Sequence, residues 1–452
     1  MAPTVALAAA LLLAQAGGPA PEEAPSRRYV VERIEFPGLE KTRESAVRRL
    51  LEVTEGDVLD DEAVLVSRLR LLQLGWYSRV EVRVERGSQR GLVVLVFALA
   101  ERNTLVVSDL VVGHTAPQPF YGGLGLSEQN FLGEGLGLSG AFVYGGAPLE
   151  RAADPDRFSA RAAFFAPDIP IGGSMPRLVA GASLLWLRGE ELTCPDPSCR
   201  DYRGRFGSAP RLRYSRLGGE LVLGIRPGPF ERLFAGLRLE GVDGSVLPGA
   251  GPAGPVPNLH TGLQLLSALT GTYDRDTRDD FFLPRDGSRV MAQVTFASPS
   301  LGGAYEYARW LVQAETAFGL PRGHALKILG AAGATQGDAP FFDRFYAADW
   351  AYFSVGPAVG RAMELNFSTD SRYDALLLMV GAEYGIPLWS SAGVLRRGYL
   401  ALGGRYLYTA ERSRAGRTAQ SSTPFSGDLA LRLDTPVGSF NLSLGYAVDL
   451  FL

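Results

Sequence analysis

Tyr273-Asp-Arg-Asp-Thr-Arg-Asp-Asp-Phe-Phe-Leu-Pro-Arg-Asp-Gly-Ser-Arg-Val-Met-Ala-Gln-Val-Thr-Phe296 holds a charged segment, a turn and a strand. Leu283-Pro-Arg-Asp-Gly287 is the turn: proline fixes φ, and Asp-Gly supplies the reversal. After it Val290, Ala292, Val294 and Phe296 alternate with Arg289, Met291, Gln293 and Thr295. Before it Leu263, Leu265, Ser267, Leu269 and Gly271 alternate with Gln264, Leu266, Ala268 and Thr270. Two long strands joined by a short charged turn make a hairpin, and the same pattern recurs on both sides of it.

Ala308, Trp310, Val312, Ala314, Thr316 and Phe318 oppose Arg309, Leu311, Gln313 and Glu315. Phe440, Leu442, Leu444, Tyr446, Val448, Leu450 and Leu452 oppose Asn441, Ser443, Gly445, Ala447 and Asp449. A soluble sandwich also alternates. Three features favour a membrane instead: strand lengths near the ~9–11 residues of a spanning strand, charges and glycine on the polar face, and loop asymmetry. Short turns such as Leu320-Pro-Arg-Gly323 and Thr435-Pro-Val-Gly438 alternate with long polar loops at 189–204, 244–260 and 411–424. In lipid every backbone polar group must be paired, so such strands must close. The predicted fold is mainly β: a transmembrane antiparallel barrel of about 16 strands over residues 102–452.

Residues 28–101 differ. Val30–Phe36 is a predicted strand, Thr42 a candidate cap for a helix through Leu51, and Asp60 or Asp61 the start of a second helix. Leu65, Leu69, Leu72 and Trp76 form its expected apolar stripe, with Val66 at the edge. Strands at Val80–Val84 and Leu92–Leu99 complete a small α+β domain. Ahead of it, the apolar run Val5–Leu13 and Ala14-Gln-Ala16 read as a signal peptide over 1–16, followed by a linker over 17–27. The competing reading, an anchoring helix, needs ~18 apolar residues, more than this run supplies.

The chain has 452 residues and a formal charge of −3, with no basic excess that would point to nucleic acid. Cys194 and Cys199, the two cysteines, flank Pro-Asp-Pro-Ser in a polar loop and are expected to form a local disulfide in an oxidising compartment. Catalytic signatures are missing: there is no Gly-x-Ser-x-Gly, and Gly133–Gly140 lacks the Lys-Ser/Thr of a phosphate loop. Asp274, Asp276, Asp279 and Asp280 lack the glycine spacing and final Glu of a calcium loop, and are read as rim residues balanced by Arg275 and Arg278. The expectation is a non-enzymatic protein without cofactor or metal. An enzyme would need residues converging from distant strands.

Leu124-Gly-Leu-Ser-Glu-Gln-Asn-Phe-Leu-Gly-Glu-Gly-Leu136 resembles the early hairpin of the BamA/TamA-type outer-membrane assembly factors, the bacterial surface antigen superfamily. Asp274–Arg289 resembles that family's later hairpin, Phe341-Phe-Asp-Arg-Phe-Tyr346 the start of its inward-folding loop, and residues 28–101 its periplasmic POTRA domain. The resemblance implies an outer-membrane protein that assists insertion or translocation of other polypeptides. Its implied partners are the lipid bilayer, unfolded outer-membrane or exported chains, and periplasmic chaperones or lipoproteins. The edges Thr104–Gly113 and Phe440–Leu452 would serve as templates for client strands. A passive channel or surface-structure protein on the same scaffold is the alternative.

In that family an Arg-Gly-aromatic tip docks on an acidic barrel wall. The nearest match is Val359-Gly-Arg-Ala362, which makes Arg361 the candidate anchor and Glu383 its candidate partner, while a second acidic position falls on Gly403-Gly404. Ser443, Gly445, Val448 and Leu450 fit a C-terminal targeting signal, although Leu452 ends the chain. Counted by the resemblance, the strands reach one fewer than the family's sixteen: either two are merged around Arg211–Arg226 or the closing strand is missing.

Overall fold

A computed structural model describes residues 29–113, 120–146, 157–169, 177–192, 211–247, 258–280, 284–345, 374–391, 395–410, 421–422, 424–435 and 438–449. The small domain runs β1 (Val30–Glu35), α1 (Glu44–Arg48), α2 (Asp61–Gln73), β2 (Tyr77–Arg86) and β3 (Leu92–Glu101). Its sheet order is β1-β3-β2, with β3 parallel to β1 and antiparallel to β2. The apolar run Leu92–Leu99 takes the central place, where both neighbours cover its backbone. Phe97 and Leu95 lie at 0 % exposure, packed with Val31, Val47, Leu71 and Trp76. Phe97→Ala is expected to cost the small domain about 3–5 kcal/mol, read as a loss of amide-exchange protection in β1 and β3.

Two expectations are corrected here. Thr42 does not cap α1; the helix starts at Glu44 with Arg43 as an N-cap that makes no side-chain bond. The Thr42 hydroxyl instead accepts from Asn130 Nδ2 at 2.9 Å, and so is engaged 88 residues away. The stripe on α2 is also turned. Leu65 is 52 % exposed, while Ser67, Arg70 and Leu71 are buried. Two polar residues face inward because each has a partner: the Ser67 hydroxyl donates to Ala63 O at 2.7 Å, and Arg70 pairs with Glu52. The start of α2 is as read, with Asp60 accepting from the Glu62 N–H at 3.0 Å.

The remaining strands form one sheet. β4 (Leu105–Gly113), β5 (Tyr121–Phe131), β6 (Leu136–Gly145), β7 (Arg157–Ile169) and β8 (Arg177–Leu192) come first. β9 (Arg211–Gly228), β10 (Glu231–Leu247), β11 (Gly262–Asp276) and β12 (Gly287–Ala297) follow. Next are β13 (Tyr307–Gly319), β14 (Ala325–Gly337), β15 (Leu376–Ser390) and β16 (Arg397–Ala410). β17 (Ser421–Ser422), β18 (Pro424–Thr435) and β19 (Gly438–Asp449) end the series. Among the described residues the sheet counts 16 strands, and the two-residue β17 lies off its path. Fifteen described strands therefore follow one another as an antiparallel meander, and residues 211–226 belong to a single strand, β9.

Burial along these strands is inverted relative to a soluble protein. On β9 Leu217, Leu221 and Leu223 are 65–66 % exposed, while Arg216 between the same ladders is at 1 %. On β10 Leu233, Leu237 and Leu239 face out and Glu240 is buried; on β13 Trp310, Val312 and Phe318 face out. Leucines outside and arginines inside are stable only where lipid replaces water around the wall. The sheet curls until β4 and β19 lie side by side, their Cα atoms within 8 Å. Among the described residues no ladder joins them, so the barrel carries one unzipped seam.

Candidate functional site

The Glu-x-Asn-Φ-Φ-Gly-x-Gly stretch at the end of β5 is a socket for the small domain. Leu132, Gly133 and Gly135 take positive φ, at 59°, 72° and 77°. Asn130 holds the turn together: its Oδ1 accepts from the Gly135 N–H at 2.8 Å, its backbone N–H donates to Glu128 Oε1 at 2.8 Å, and its Nδ2 reaches Thr42. Gly133 O accepts from the Arg43 N–H at 3.0 Å, and Glu134 pairs with Arg43 and Arg49 at 2.6 and 3.1 Å. A Cβ on Gly133 would land on the Lys41 carbonyl oxygen, and one on Gly135 would lie 2.6 Å from the Trp76 ring. The Trp76 indole N–H donates to Gln129 O at 2.9 Å. The glycines are thus required by close approach of another domain.

The opening hairpin contributes to the same rim. Gln73 Nε2 donates to Arg278 O at 2.6 Å. Arg278 itself is clamped by Asp276 at 2.7 and 2.9 Å and by Glu315 at 2.5 Å. Asp274 is balanced by Arg289 at 2.9 Å and Arg232 at 3.0 Å. Arg275, read as a balancing charge, is instead half-exposed near Glu231 at 3.8 Å, because its odd position on β11 points outward. Burial, followed by repulsion from Arg226 of the rim, lowers the Arg70 guanidinium to about 9. It remains protonated at neutral pH, with Glu52 beside it.

Inside the barrel Glu383 is 5 % exposed and faces three cations. Lys327 lies 3.3 Å from Oε1, while Arg432 bonds to Oε2 and Arg405 stands 4.0 Å from it. Arg405 also pairs with Asp428, which is opposite Gly403 in the β16–β18 register. A Cβ on Gly403 would collide with that carboxylate. The space beside Gly403 is thus filled by a carboxylate from the neighbouring strand. Arg361 lies outside the described residues, as do Cys194, Cys199 and Leu450. Ser443, Gly445 and Val448 sit on β19, opposite Ala430, Asp428 and Phe425. Lys327, Arg405 and Arg432 escaped sequence reading. Lys327, the barrel's lysine among the chain's two at 41 and 327, was the available signal. Its pairing with Glu383 depends on a register that sequence does not reveal.

A second lumen cluster holds the Phe341–Phe345 segment against β9, β10 and β13. Arg238 Nη1 grips both Asp343 oxygens at 3.0 and 3.1 Å, and the Tyr307 hydroxyl donates to Asp343 Oδ2 at 2.5 Å. The Arg216 guanidinium lies 4.0 Å over the Phe342 ring. Phe341 packs edge-on against Tyr214, with ring centroids 4.9 Å apart, in an apolar cluster with Leu212, Leu266, Tyr305 and Tyr307. Among the described residues no group of three or more His, Cys, Asp or Glu could hold a metal ion.

The Omp85 superfamily domain matches residues 130–449. A POTRA domain, described as a surface antigen variable number repeat, matches residues 29–102. Among solved structures, CdiB from Escherichia coli is similar at a TM-score of 0.61 and 11 % identity, over 93 % of this chain and 73 % of that one. CdiB from Acinetobacter baumannii gives 0.52 and 12 %, over 93 % and 74 %. BamA from Haemophilus ducreyi lacking POTRA domains 1-3 gives 0.48 and 15 %, over 94 % and 82 %. For the two CdiB structures, at these identities, the likeness is one of fold.

Proposed function

The chain belongs to the Omp85 superfamily, and on that premise we propose that it assists insertion of polypeptides into the outer membrane, or their passage across it, through the seam between β4 and β19. The small domain stands on the periplasmic side in this reading and meets clients and periplasmic chaperones or lipoproteins first. The carrying observation is the pair of edges that lie side by side without a ladder. Such edges offer unpaired N–H and C=O groups to an incoming strand. No nucleotide or catalytic side chain is needed, because an incoming strand gains backbone bonds that the two edges do not make with each other. Glu383 and Arg361 enter this reading as candidate positions that fix the inward loop.

The test is a set of cysteine pairs scanned along β4 and β19. Oxidation of a pair that crosslinks the seam is expected to bring client assembly to background, with recovery on reduction. Undiminished assembly by the locked protein sinks the reading. The passive-channel alternative draws less support, since Phe341 and its apolar neighbours occupy the lumen. Steady ion conductance, with other barrel proteins unaffected by deletion of this one, would favour it.

A further inference from the structure

Arg102 follows directly on β3 and precedes β4 by three residues. Its guanidinium Nη2 donates to Asp434 Oδ1 at 3.2 Å and to Thr435 O at 3.3 Å, at the end of β18. β19 begins just beyond, at Gly438. The contact therefore bridges the seam at the end nearest the small domain. Both side chains are buried, at 5 % and 4 % exposure. We propose that Arg102 is the positioning residue of the seam, a strap that ties the linker entering β4 to the end of β18, where the chain turns into β19, and is released when the small domain shifts. The proposal rests on the seam reading above for its use, but not for its test.

Two features make the strap releasable. Asp434 has a second partner: Arg397 donates to Oδ2 through Nε and Nη2 at 3.0 and 2.8 Å, and Arg397 also holds Asp280 at 2.8 Å. When Arg102 leaves, the carboxylate keeps this two-point bond. The large cost of a broken buried pair comes from orphaning one charge. Here the acid is not orphaned, and the guanidinium, carried off with the linker, regains water. The second feature is the link to the small domain. The Arg102 N–H donates to Trp76 O at 2.9 Å, and the indole N–H of the same Trp76 is bonded to Gln129 O in the socket. A displacement that lifts Trp76 from the socket moves the strap's own backbone acceptor.

The test uses the full chain in lipid and reads amide exchange by segment, with folding checked by heat-modifiable migration on gels. Arg102→Gln is expected to speed exchange in β4 and β19 roughly tenfold, the equivalent of one charge-assisted hydrogen bond, and to leave the β9–β10 hairpin unchanged. Arg102→Lys, which keeps the charge but loses the planar fork, should fall between the two. Trp76→Phe, which removes the indole donor and part of the ring that packs on Gly135, should loosen the same two segments. Wild-type exchange at the seam in Arg102→Gln overturns the strap, as does a rise spread evenly over the barrel, the mark of a merely structural residue. If Trp76→Phe leaves the seam untouched, release by the small domain is overturned. A client-assembly failure bears on the function and not on these rates, so the two ideas fail separately.

Discussion

Glu383→Gln is expected to destabilise the barrel by about 3–5 kcal/mol, several times the effect of an exposed ion pair, whose usual worth is about 0–1 kcal/mol. Burial decides between these figures. Glu383 and Lys327 are each 5 % exposed, with Arg405 at 6 % and Arg432 at 11 %. Removing the carboxylate's charge leaves three cations in one pocket, with Asp428 as the nearby acid paired to Arg405. The measurement is the urea midpoint of tryptophan fluorescence in the folded barrel. The double variant Glu383→Gln with Lys327→Met should recover part of the loss, because it also removes one uncompensated cation. A single-variant effect below about 1 kcal/mol would mean that water screens the cluster as it does a surface pair.

Gly133→Val is expected to lift the small domain from its socket while both parts stay folded. A β-branched residue at a φ of 72° carries a penalty of about 1–2 kcal/mol. Its Cβ would also occupy the space of the Lys41 carbonyl oxygen, a backbone atom that cannot rotate away. Amide exchange at Arg43, whose N–H is bonded to Gly133 O, should approach that of an open site, while β3 stays protected. Gly56→Val is the control: its φ is 95°, yet nothing lies within 4 Å of a Cβ there. Equal behaviour of the two variants would attribute the effect to local strain and not to docking.

The hairpin around Asp286-Gly287 was legible because two local signals coincide there: a proline turn and a strict period of two. The outward apolar face of β13 was legible in outline for the same reason, since alternation survives whichever solvent surrounds the wall. The stripe on α2 was misread because Ser67 and Arg70 point inward, and only partners at Ala63 O and Glu52 make that tolerable. Thr42 sits where a cap belongs, but a tertiary bond to Asn130 outcompetes the local one. Among the lumen charges, sequence placed Glu383 on the polar face and could go no further. Which cations meet it follows from strand register, and register is set by the sheet as a whole. The socket motif was recognised as a pattern, while its cause, a second domain pressing on two glycines, is visible only in three dimensions.

The odd number of strands on the path among the described residues has a directional consequence. With these fifteen alternating in sense, β4 and β19 point the same way, each starting at the rim that carries the small domain. Two co-directional edges cannot continue the antiparallel pattern with each other. A single guest strand that bonds to both in that pattern has one permitted polarity, from the far rim towards the domain rim. It would thread with its C-terminal end beside the small domain and bring the described strands on the path to an even number.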